Sequence, residues 1–217
     1  MDDPFSGLYS DPYAVQRVQR SVEVLNARAG DTVLDVGCYK QFSCRFLPEG
    51  VVYKGVDIDR FHPDTIVMNI DGGFDHEPVD RILCLETLEH LKWPRKTLAS
   101  ISRALKPSGI AVISLPNEAT IFHRIRSFLG TPDAEAFSEN GKHLHLPNKK
   151  QAIKFILREF KIMSIEPYIS LSAESSRQAT ILRQLIQLLP ESIWHFLADK
   201  FPSLFARGFI FVCQKNP

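Results

Sequence analysis

The stretch Thr32 to Cys44, "TVLDVGCYKQFSC", decides how the whole chain is interpreted. Its apolar run, Val33 to Val36, is typical of a buried strand, and Asp35 interrupts that run just before Gly37. A strand that enters a glycine turn is the usual cradle for a nucleotide-like ligand in an open α/β sheet. A dinucleotide would need the pattern G-x-G-x-x-G, and here only Gly37 is present. The stretch therefore favours a nucleotide-like ligand without the pyrophosphate of NAD.

Further apolar runs alternate with helical patterns along the chain. After the first strand, strands are predicted at Val51–Val56, Thr65–Ile70, Arg81–Leu85, Ile110–Leu115, Lys161–Ser170 and Gly208–Lys215. Helices are predicted at Pro12–Arg28, Pro94–Leu105, Asn117–Leu129 and Lys149–Phe160. Because strands and helices alternate, we expect an α/β fold with a mainly parallel sheet, in a single domain that covers residues 1–217.

Two segments stand apart from this alternation. Residues 1–30 form an N-terminal helical segment, and residues 173–207 lie between the last two predicted strands. The second segment is longer than a hairpin requires, and Pro190 divides it into two amphipathic helical patterns. We expect it to be a helical insertion that caps the pocket of a second ligand, called the acceptor below. Trp194 and Phe196 could contact an apolar part of that acceptor. A dimer surface, a membrane-facing surface and ordinary core are the alternatives.

Composition limits the compartment and the partners. Lys and Arg number 26 against 25 Asp and Glu, so the net charge of +1 gives no general electrostatic support for a nucleic-acid partner. The four cysteines show no paired spacing, and the N-terminus lacks the pattern of a signal peptide, which favours a cytoplasmic protein. No stretch has the pattern of a transmembrane helix, although a peripheral membrane contact stays open. A monomer and a homodimer are both compatible with the sequence.

Acidic residues end three successive predicted strands. A carboxylate such as Asp35 is unfavourable beside a phosphate, whereas it is favourable beside an ammonium or sulfonium group. Asp57 lies about 20 residues after the loop, where a carboxylate can accept both ribose hydroxyls. Asp71 follows the third run, near the expected position of an adenine amino group. Each acid alone could equally be a turn or helix-cap residue.

Several motifs together resemble the class I S-adenosylmethionine-dependent methyltransferases, with the "LEHL" and "LKPSG" motifs of the type 11 and type 23 kind. The motifs are "TVLDVGC", "GVDID", "NID", "DRILCLETLEHL", "RALKPSGIAVISLPN" and "GFIFVCQK", in the family's order. The resemblance implies a Rossmann-like, seven-stranded, mostly parallel sheet with helices on both faces, and S-adenosylmethionine as cofactor. It implies that Asp35 and Gly37 face the methionine moiety, Asp57 the ribose and Asp71 the adenine. The cofactor-binding set is Asp35, Gly37, Tyr39, Asp57, Ile58, Asp71, Gly72, Cys84 and Leu85.

The loop departs from the family pattern at two positions. Tyr39 and Gln41 stand where the family has further glycines. Tyr39 could stack or hydrogen-bond near the ligand, or it could fill the pocket and abolish binding. A non-catalytic scaffold that has lost its cofactor is therefore one alternative function, and a nicotinamide-dependent dehydrogenase is a weaker one because the glycines are missing.

Candidate chemistry is concentrated in "ETLEH". If a helical turn begins there, Glu86, Glu89 and His90 fall at i, i+3 and i+4 and project from one face. With His143 or His145 of "KHLHL" they could hold a divalent metal, which resembles the metal-assisted O-methyltransferases of the ubiquinone pathway and of small-RNA 3′ ends.

The alternative needs no metal, because "LEHL" is widespread in methyltransferases that use none. His90 then acts as a base or positions the substrate, since an imidazole titrates near neutrality. We therefore expect catalysis without a metal. The predicted catalytic residues are Glu86, Glu89, His90, His143 and His145. The acceptor is expected to be small or lipid- or sugar-linked, methylated at oxygen. His123 and His195 lie in apolar helical patterns and are expected to be packing residues.

Overall fold

The computed structural model describes residues 11–130, 143–169 and 190–216. Its seven-stranded sheet has the order β3-β2-β1-β4-β5-β7-β6. The strands are β1 Thr32–Val36, β2 Val52–Asp57, β3 Ile66–Val67, β4 Val79–Leu85, β5 Leu105–Pro116, β6 Phe160–Tyr168 and β7 Gly208–Lys215. Neighbouring strands from β3 to β5 pair in parallel, and β7 runs antiparallel between β5 and β6. The predicted Rossmann-like, mostly parallel sheet is confirmed.

The ends of helices α1 and α4 lie where capping residues and the next strand place them, and not where the apolar spacing predicted them. They are α1 Pro12–Leu25, α2 Pro94–Ala104, α3 Ile121–Phe128, α4 Lys149–Ile156, α5 Glu191–Lys200 and α6 Pro202–Phe205, with 3₁₀ turns at Phe42–Phe46 and Leu88–His90. Asn26 takes a left-handed conformation that ends α1 three residues before the predicted limit. Helix α4 begins with a capping box of Asn148 and Gln151. It ends before Phe160, because that residue already belongs to β6. None of the described helices is long and apolar enough to cross a membrane.

The sheet is covered on both faces because its strand residues alternate between two clusters of buried side chains. Leu34 and Ile82 belong to the larger cluster, which also holds residues of α2 and α4. Val33 and Leu83 point to the other face and pack with Val22 of α1. Alternation along a strand sends neighbouring side chains to opposite faces of the sheet. The prediction of helices on both faces is therefore correct.

The described part of the predicted insertion lies at the carboxyl edge of the sheet. The buried Asn117, directly after β5, donates its side-chain amide to the Ala206 carbonyl oxygen at 2.9 Å and its backbone N–H to that of Arg207 at 2.7 Å. These bonds tie the end of α6 to the edge where the parallel strands end. Residues 173–189, which hold the first of the two predicted helices, lie outside the described residues.

Trp194 has a different role from the expected one. Its ring is buried in the larger core cluster, with its centroid 6.0 Å from that of Phe122 and 6.2 Å from that of Phe205. The expectation that Trp194 contacts the acceptor is therefore wrong, because α5 packs this residue inward. Phe196, two residues later, is exposed.

Candidate active site

The loop after β1 keeps the backbone of a glycine loop although two of its residues carry side chains. The φ angles are +79° at Gly37, +47° at Tyr39 and +58° at Gln41. Left-handed backbone at a residue with a Cβ costs about 1 kcal/mol, so it persists only where other contacts impose it. Here the Gly37 N–H bonds to the Val56 carbonyl oxygen at 2.9 Å, and the Tyr39 N–H bonds to the Asp57 carboxylate at 2.8 Å. The loop is thus shaped by its bonds to β2.

Gly37 is required by packing inside the protein. A Cβ on this residue would lie 2.4 Å from the Thr87 hydroxyl oxygen, which comes from the loop after β4. The resemblance implied that Gly37 faces the methionine moiety of the ligand. The structure assigns the immediate need to Thr87, because this side chain fills the space that a Cβ would occupy.

Asp35 points into the protein. Its side chain is buried, and the same carboxylate oxygen accepts hydrogen bonds from the Ser43 hydroxyl and, at 2.7 Å, from the Tyr53 hydroxyl. Burial raises the pKa of Asp35 to about 6, although the two hydroxyl donors act in the opposite direction. The direct contact with the methionine moiety that the resemblance implied stays untested, and the carboxylate instead lies beneath the loop as a buried charge.

Asp57 is the strand-end acid with the most open position. One carboxylate oxygen accepts the Tyr39 N–H, and the other accepts the Ile58 N–H at 2.7 Å. The residue is half-buried, and the backbone N–H of Asp59 also interacts with this carboxylate. Ile58 next to it is exposed. The aromatic ring of Tyr39 packs against Phe61, with the ring centroids 4.9 Å apart. This arrangement is compatible with a carboxylate that receives two ligand hydroxyls beside an apolar platform.

Asp71 is placed differently from the prediction. β3 contains only Ile66–Val67, so Asp71 lies four residues beyond the strand. Its two carboxylate oxygens accept the N–H groups of Lys92, at 3.2 Å, and Trp93, at 2.9 Å. Asp71 therefore ties its loop to the chain just before α2, which is a structural role of the kind that the sequence left open. The following Gly72 has a φ of +100°, and a contact of either residue with adenine stays a prediction.

Cys84 and Leu85 end β4 near the centre of the edge. The Cys84 side chain is fully buried in the larger core cluster, and a contact of Cys84 with the cofactor stays a prediction. Burial raises the pKa of the Cys84 thiol well above its usual value. Leu85 is half-buried and packs against the other cluster.

Glu86 does not join Glu89 and His90. The prediction assumed a helical turn from the end of β4, but Glu86 has a left-handed backbone with a φ of +49°, and the 3₁₀ turn begins only at Leu88. One Glu86 oxygen accepts the Ser114 hydroxyl at 2.8 Å, and the other lies 3.6 Å from the Arg17 guanidinium. The common face predicted from the i, i+3 and i+4 spacing is therefore wrong for Glu86.

Glu89, His90 and His143 form the cluster that the structure does assemble. One ligand atom from each lies within 4.8 Å of the other two. The His143 Nε2 atom is 4.0 Å from a Glu89 carboxylate oxygen, and the ring centroids of His90 and His143 are 4.9 Å apart. Segment 143–145 is held here because the N–H groups of Leu144 and His145 both bond to the Glu89 carbonyl oxygen, at 2.8 and 3.1 Å. Two distant parts of the chain thus meet at one point.

The Glu89 carboxylate is an unusual buried group. Its side chain has no exposed surface, and no other described residue donates a hydrogen bond to either oxygen. Burial, together with the nearby negative charge of Glu86, raises the pKa of Glu89 well above its usual value. Leaving a buried carboxylate without donors costs free energy, which proteins accept mainly at functional sites.

His145 lies outside the cluster. Its Nε2 atom is 2.9 Å from the Leu91 carbonyl oxygen, and the side chain is exposed. Of the two histidines, His143 is the one whose ligand atom lies in the cluster with Glu89. Of the low-probability metal set Glu86, Glu89, His90 and His145, the structure therefore brings together only Glu89 and His90, and His143 replaces His145.

Two polar residues at this edge, Arg17 and Glu118, were not predicted from the sequence. Arg17 comes from α1, where an Arg on an amphipathic helix gives no signal of burial. Glu118 contacts both His143, at 2.8 Å, and His123, at 3.3 Å. The "PNE" that ends the fifth-strand motif could have suggested Glu118, because it places an acid just beyond a strand at the carboxyl edge.

The two histidines expected to be packing residues are both in ion-pair geometry. His123 bonds through Nδ1 to the Thr120 hydroxyl oxygen at 2.8 Å and lies beside Glu118 through Nε2. His195 is on the solvent side of α5, with its Nε2 atom 3.5 Å from Glu191. The packing prediction is wrong for His195, because the side of α5 that faces the core carries Trp194 and Ala198 instead.

Comparisons with known proteins now extend the geometry. A family profile described as a methyltransferase domain matches residues 12–160. A comparison with curated protein sequences gives no match. The N-methyltransferase NodS from Bradyrhizobium japonicum, solved with S-adenosyl-L-homocysteine, is 15% identical with a TM-score of 0.59, covering 100% of this chain and 93% of that one.

Two further solved structures agree in fold. A S-adenosylmethionine-dependent methyltransferase from Archaeoglobus fulgidus is 20% identical with a TM-score of 0.56, and the match covers 93% of this chain and 92% of that one. A Haloferax volcanii protein solved with the Trm112 methyltransferase activator is 16% identical with a TM-score of 0.62, covering 97% and 92% of the two chains. At these identities the likeness shows the fold.

Proposed function

The chain belongs to the methyltransferase-domain family, and we propose that it transfers the methyl group of S-adenosylmethionine to a hydroxyl oxygen, with a divalent cation held by Glu89, His90 and His143. The family match favours methyl transfer over the dehydrogenase. The observation that carries the rest of the proposal is the buried Glu89 carboxylate, to which no other described residue donates, facing two imidazole rings.

The cofactor edge suits S-adenosylmethionine. Asp57 offers two carboxylate oxygens at the end of β2 as acceptors for ribose hydroxyls. The left-handed backbone at Gly37, Tyr39 and Gln41 keeps the loop curved as a glycine loop would be. Asp35 adds a buried negative charge beneath this loop, which favours a cationic sulfonium or ammonium group above it.

The acceptor edge suits a divalent cation. Ligand atoms that surround one ion at about 2.0–2.6 Å lie roughly 3–5 Å from one another, and the three atoms here lie within 4.8 Å. One carboxylate and two imidazoles are ligands that Mn²⁺, Fe²⁺ and Zn²⁺ accept. When bound, such a cation supplies the positive charge that lowers the pKa of a neighbouring acceptor hydroxyl.

Oxygen is the proposed acceptor atom because it has the greatest need for this charge. In the transfer, the acceptor hydroxyl gives its proton to solvent water and its oxygen attacks the methyl carbon, while the electron pair of the carbon–sulfur bond returns to sulfur. A neutral amine is already nucleophilic, whereas a hydroxyl needs help to lose its proton. Glu89, His90 and His143 at the carboxyl edge would provide that help next to the cofactor loop.

An acceptor with an apolar part is proposed from the surroundings of this edge. Ile125, Phe128 and Leu129 of α3 and its end are exposed at helical spacing, and Phe196 is exposed on α5. Thr120 caps the start of helix α3 and bonds to His123 in its first turn. His123 in turn lies beside Glu118, which contacts His143 of the site. A small aromatic acceptor or a lipid- or sugar-linked hydroxyl is the class that these surfaces favour.

The test measures cation binding and turnover separately. Metal-free protein is titrated calorimetrically with Mn²⁺ in the presence of S-adenosylhomocysteine. S-adenosylhomocysteine formation is then measured with a panel of phenols, sugars and lipid-linked alcohols, with and without Mn²⁺. We expect one Mn²⁺ site that is lost in Glu89→Gln but kept in Glu166→Gln. The second variant is the control, because the Glu166 carboxylate pairs with Arg20 of α1 and is not in the cluster of Glu89, His90 and His143. Absence of Mn²⁺ binding in the wild-type protein would reject the cation.

A further inference from the structure

Glu118 occupies a fixed position behind His143. Its backbone N–H bonds to the Pro147 carbonyl oxygen at 3.0 Å, while the neighbouring Asn117 bonds to Arg207 and Ala206. The Glu118 side chain is only 11% exposed. Both the backbone and the side chain are therefore held in place, and the carboxylate cannot easily turn to other partners.

The Glu118 carboxylate faces one nitrogen from each of two imidazole rings. The His143 Nδ1 atom lies 2.8 Å from one carboxylate oxygen, and the His123 Nε2 atom lies 3.3 Å from the other. Burial disfavours the charge of Glu118, but the His143 hydrogen bond and the charges of Arg207 and His123 outweigh burial and lower its pKa. An ionised carboxylate only accepts, so the facing nitrogen of each ring must carry a hydrogen.

These assignments determine the tautomers of both rings. His123 donates from Nε2, and its Nδ1 atom, 2.8 Å from the Thr120 hydroxyl oxygen, can accept the hydroxyl hydrogen. His143 donates from Nδ1, so in its neutral form the lone pair is on Nε2. That Nε2 atom lies on the side of Glu89, 4.0 Å from its carboxylate oxygen.

We propose that Glu118 is a positioning residue that holds His143 in the Nδ1–H tautomer and aims its Nε2 lone pair at the Glu89 site. The inference deepens the proposed function, because a metal-ligating histidine usually donates its other ring N–H to a carboxylate or carbonyl. The placement itself depends only on the contacts among Glu118, His123 and His143. The role of Glu118 can therefore be tested without any cation.

The primary test is long-range ¹H–¹⁵N NMR of protein labelled with ¹⁵N-histidine, at a pH where His143 is neutral. We expect the Nδ1–H tautomer for His143 in the wild-type protein. In Glu118→Gln the amide can donate to or accept from the ring, so the Nε2–H tautomer that histidine prefers in water becomes populated. Glu191→Gln removes the acid of the exposed Glu191–His195 pair and is the matched control that leaves His143 unchanged.

The wild-type spectrum alone decides the inference if Glu118→Gln fails to fold, since an Nε2–H tautomer at His143 would overturn it. An unchanged tautomer in a folded Glu118→Gln protein would overturn it too. Titration with Mn²⁺ then adds the functional part: the affinity should fall about 10–100-fold in Glu118→Gln, with S-adenosylhomocysteine affinity unchanged. A wild-type protein that shows the Nδ1–H tautomer but binds no Mn²⁺ would reject the cation of the proposed function and still support the role of Glu118.

Discussion

Asp35 and Asp57, at the ends of β1 and β2, receive hydrogen bonds from the protein itself, whereas Glu89, in the loop after β4, receives none from any other described residue. All three carboxylates lie along the carboxyl edge of one sheet. The acids of the cofactor half therefore already have donors within the protein, while the acceptor half contains a buried carboxyl group to which no other described residue donates. Replacing a carboxylate in one half should therefore change the affinity for cofactor, and replacing one in the other half should change the affinity for a cation.

The two halves also differ in how the chain builds them. The cofactor half joins residues close in sequence, because the loop after β1 bonds directly to the end of β2. The acceptor half joins Arg17 of α1, the turn at Leu88–His90, Glu118 after β5 and His143 before α4. The cofactor half therefore depends on neighbouring elements of the chain, whereas the acceptor half depends on the assembly of the whole sheet.

The largest expected effect is that of Glu89→Gln. Removing the charge that would hold a cation should lower Mn²⁺ affinity and hydroxyl methylation by more than about 100-fold. Affinity for S-adenosylhomocysteine should change less than about twofold. The melting temperature should not fall, because the variant also removes a buried carboxylate that lacks donors. Calorimetry, turnover and thermal unfolding check these three results, and a loss of cofactor affinity would show that the two halves are not separate.

The next effect is expected at Asp57. Asp57→Ala removes both acceptors for the ribose hydroxyls and should weaken S-adenosylhomocysteine binding about 10–100-fold, since hydrogen bonds to charged groups contribute about 1.5–3 kcal/mol. Mn²⁺ affinity should stay unchanged. Asp64→Ala is the control, because Asp64 lies in the loop that follows β2 and its side chain is 86% exposed. Equal affinities of the two variants in a calorimetric titration would remove Asp57 from the cofactor site.

Asp35 gives a smaller effect that depends on pH. Its folded-state pKa of about 6 is raised above the ordinary value of 3.8, so its contribution to stability is complete below pH 3.8 and is lost as the pH rises through 6. From pH 5 to pH 7.5 the wild-type free energy of unfolding should lose about 1 kcal/mol through this group, and Asp35→Asn should lack that loss. Urea unfolding at the two pH values measures it.

The charge of Asp35 should also influence the cofactor. Ionisation above pH 6 places a negative charge beneath the loop, so S-adenosylmethionine affinity should increase from pH 5 to pH 7.5. Asp35→Asn should weaken binding about threefold to tenfold at pH 7.5 and remove this pH dependence. If the variant binds as tightly as the wild type at both pH values, Asp35 supports the fold only.

Tyr39→Gly should have the smallest effect. The backbone at Tyr39 already has a φ of +47°, so glycine relieves about 1 kcal/mol of strain while the contact with Phe61 is lost. Cofactor affinity should change less than about threefold. Gly37→Ala is the informative counterpart, because its Cβ would collide with Thr87. A gain of more than tenfold in Tyr39→Gly would mean that the tyrosine obstructs the cofactor.

The fold was predictable from residues that act locally. The apolar run at Val33–Val36 and the similar runs after it marked the strands, and the cap signal of Asn148 marked the start of α4. The prediction failed where backbone conformation breaks a regular pattern. Glu86 is left-handed, so the helical spacing that joined it to Glu89 does not exist.

The family and the order of strands and helices could be predicted from the sequence alone, because periodicity and strand-end position are properties of a local stretch. Asp57, Glu89 and His90 were named as site residues on the same local grounds, and their roles stay predictions. Only the tertiary structure decided that Arg17 pairs with Glu86, and that Glu118 joins His143. Those pairs join positions that lie far apart along the chain. Their distances follow from how strands and loops are packed together, which no local pattern records.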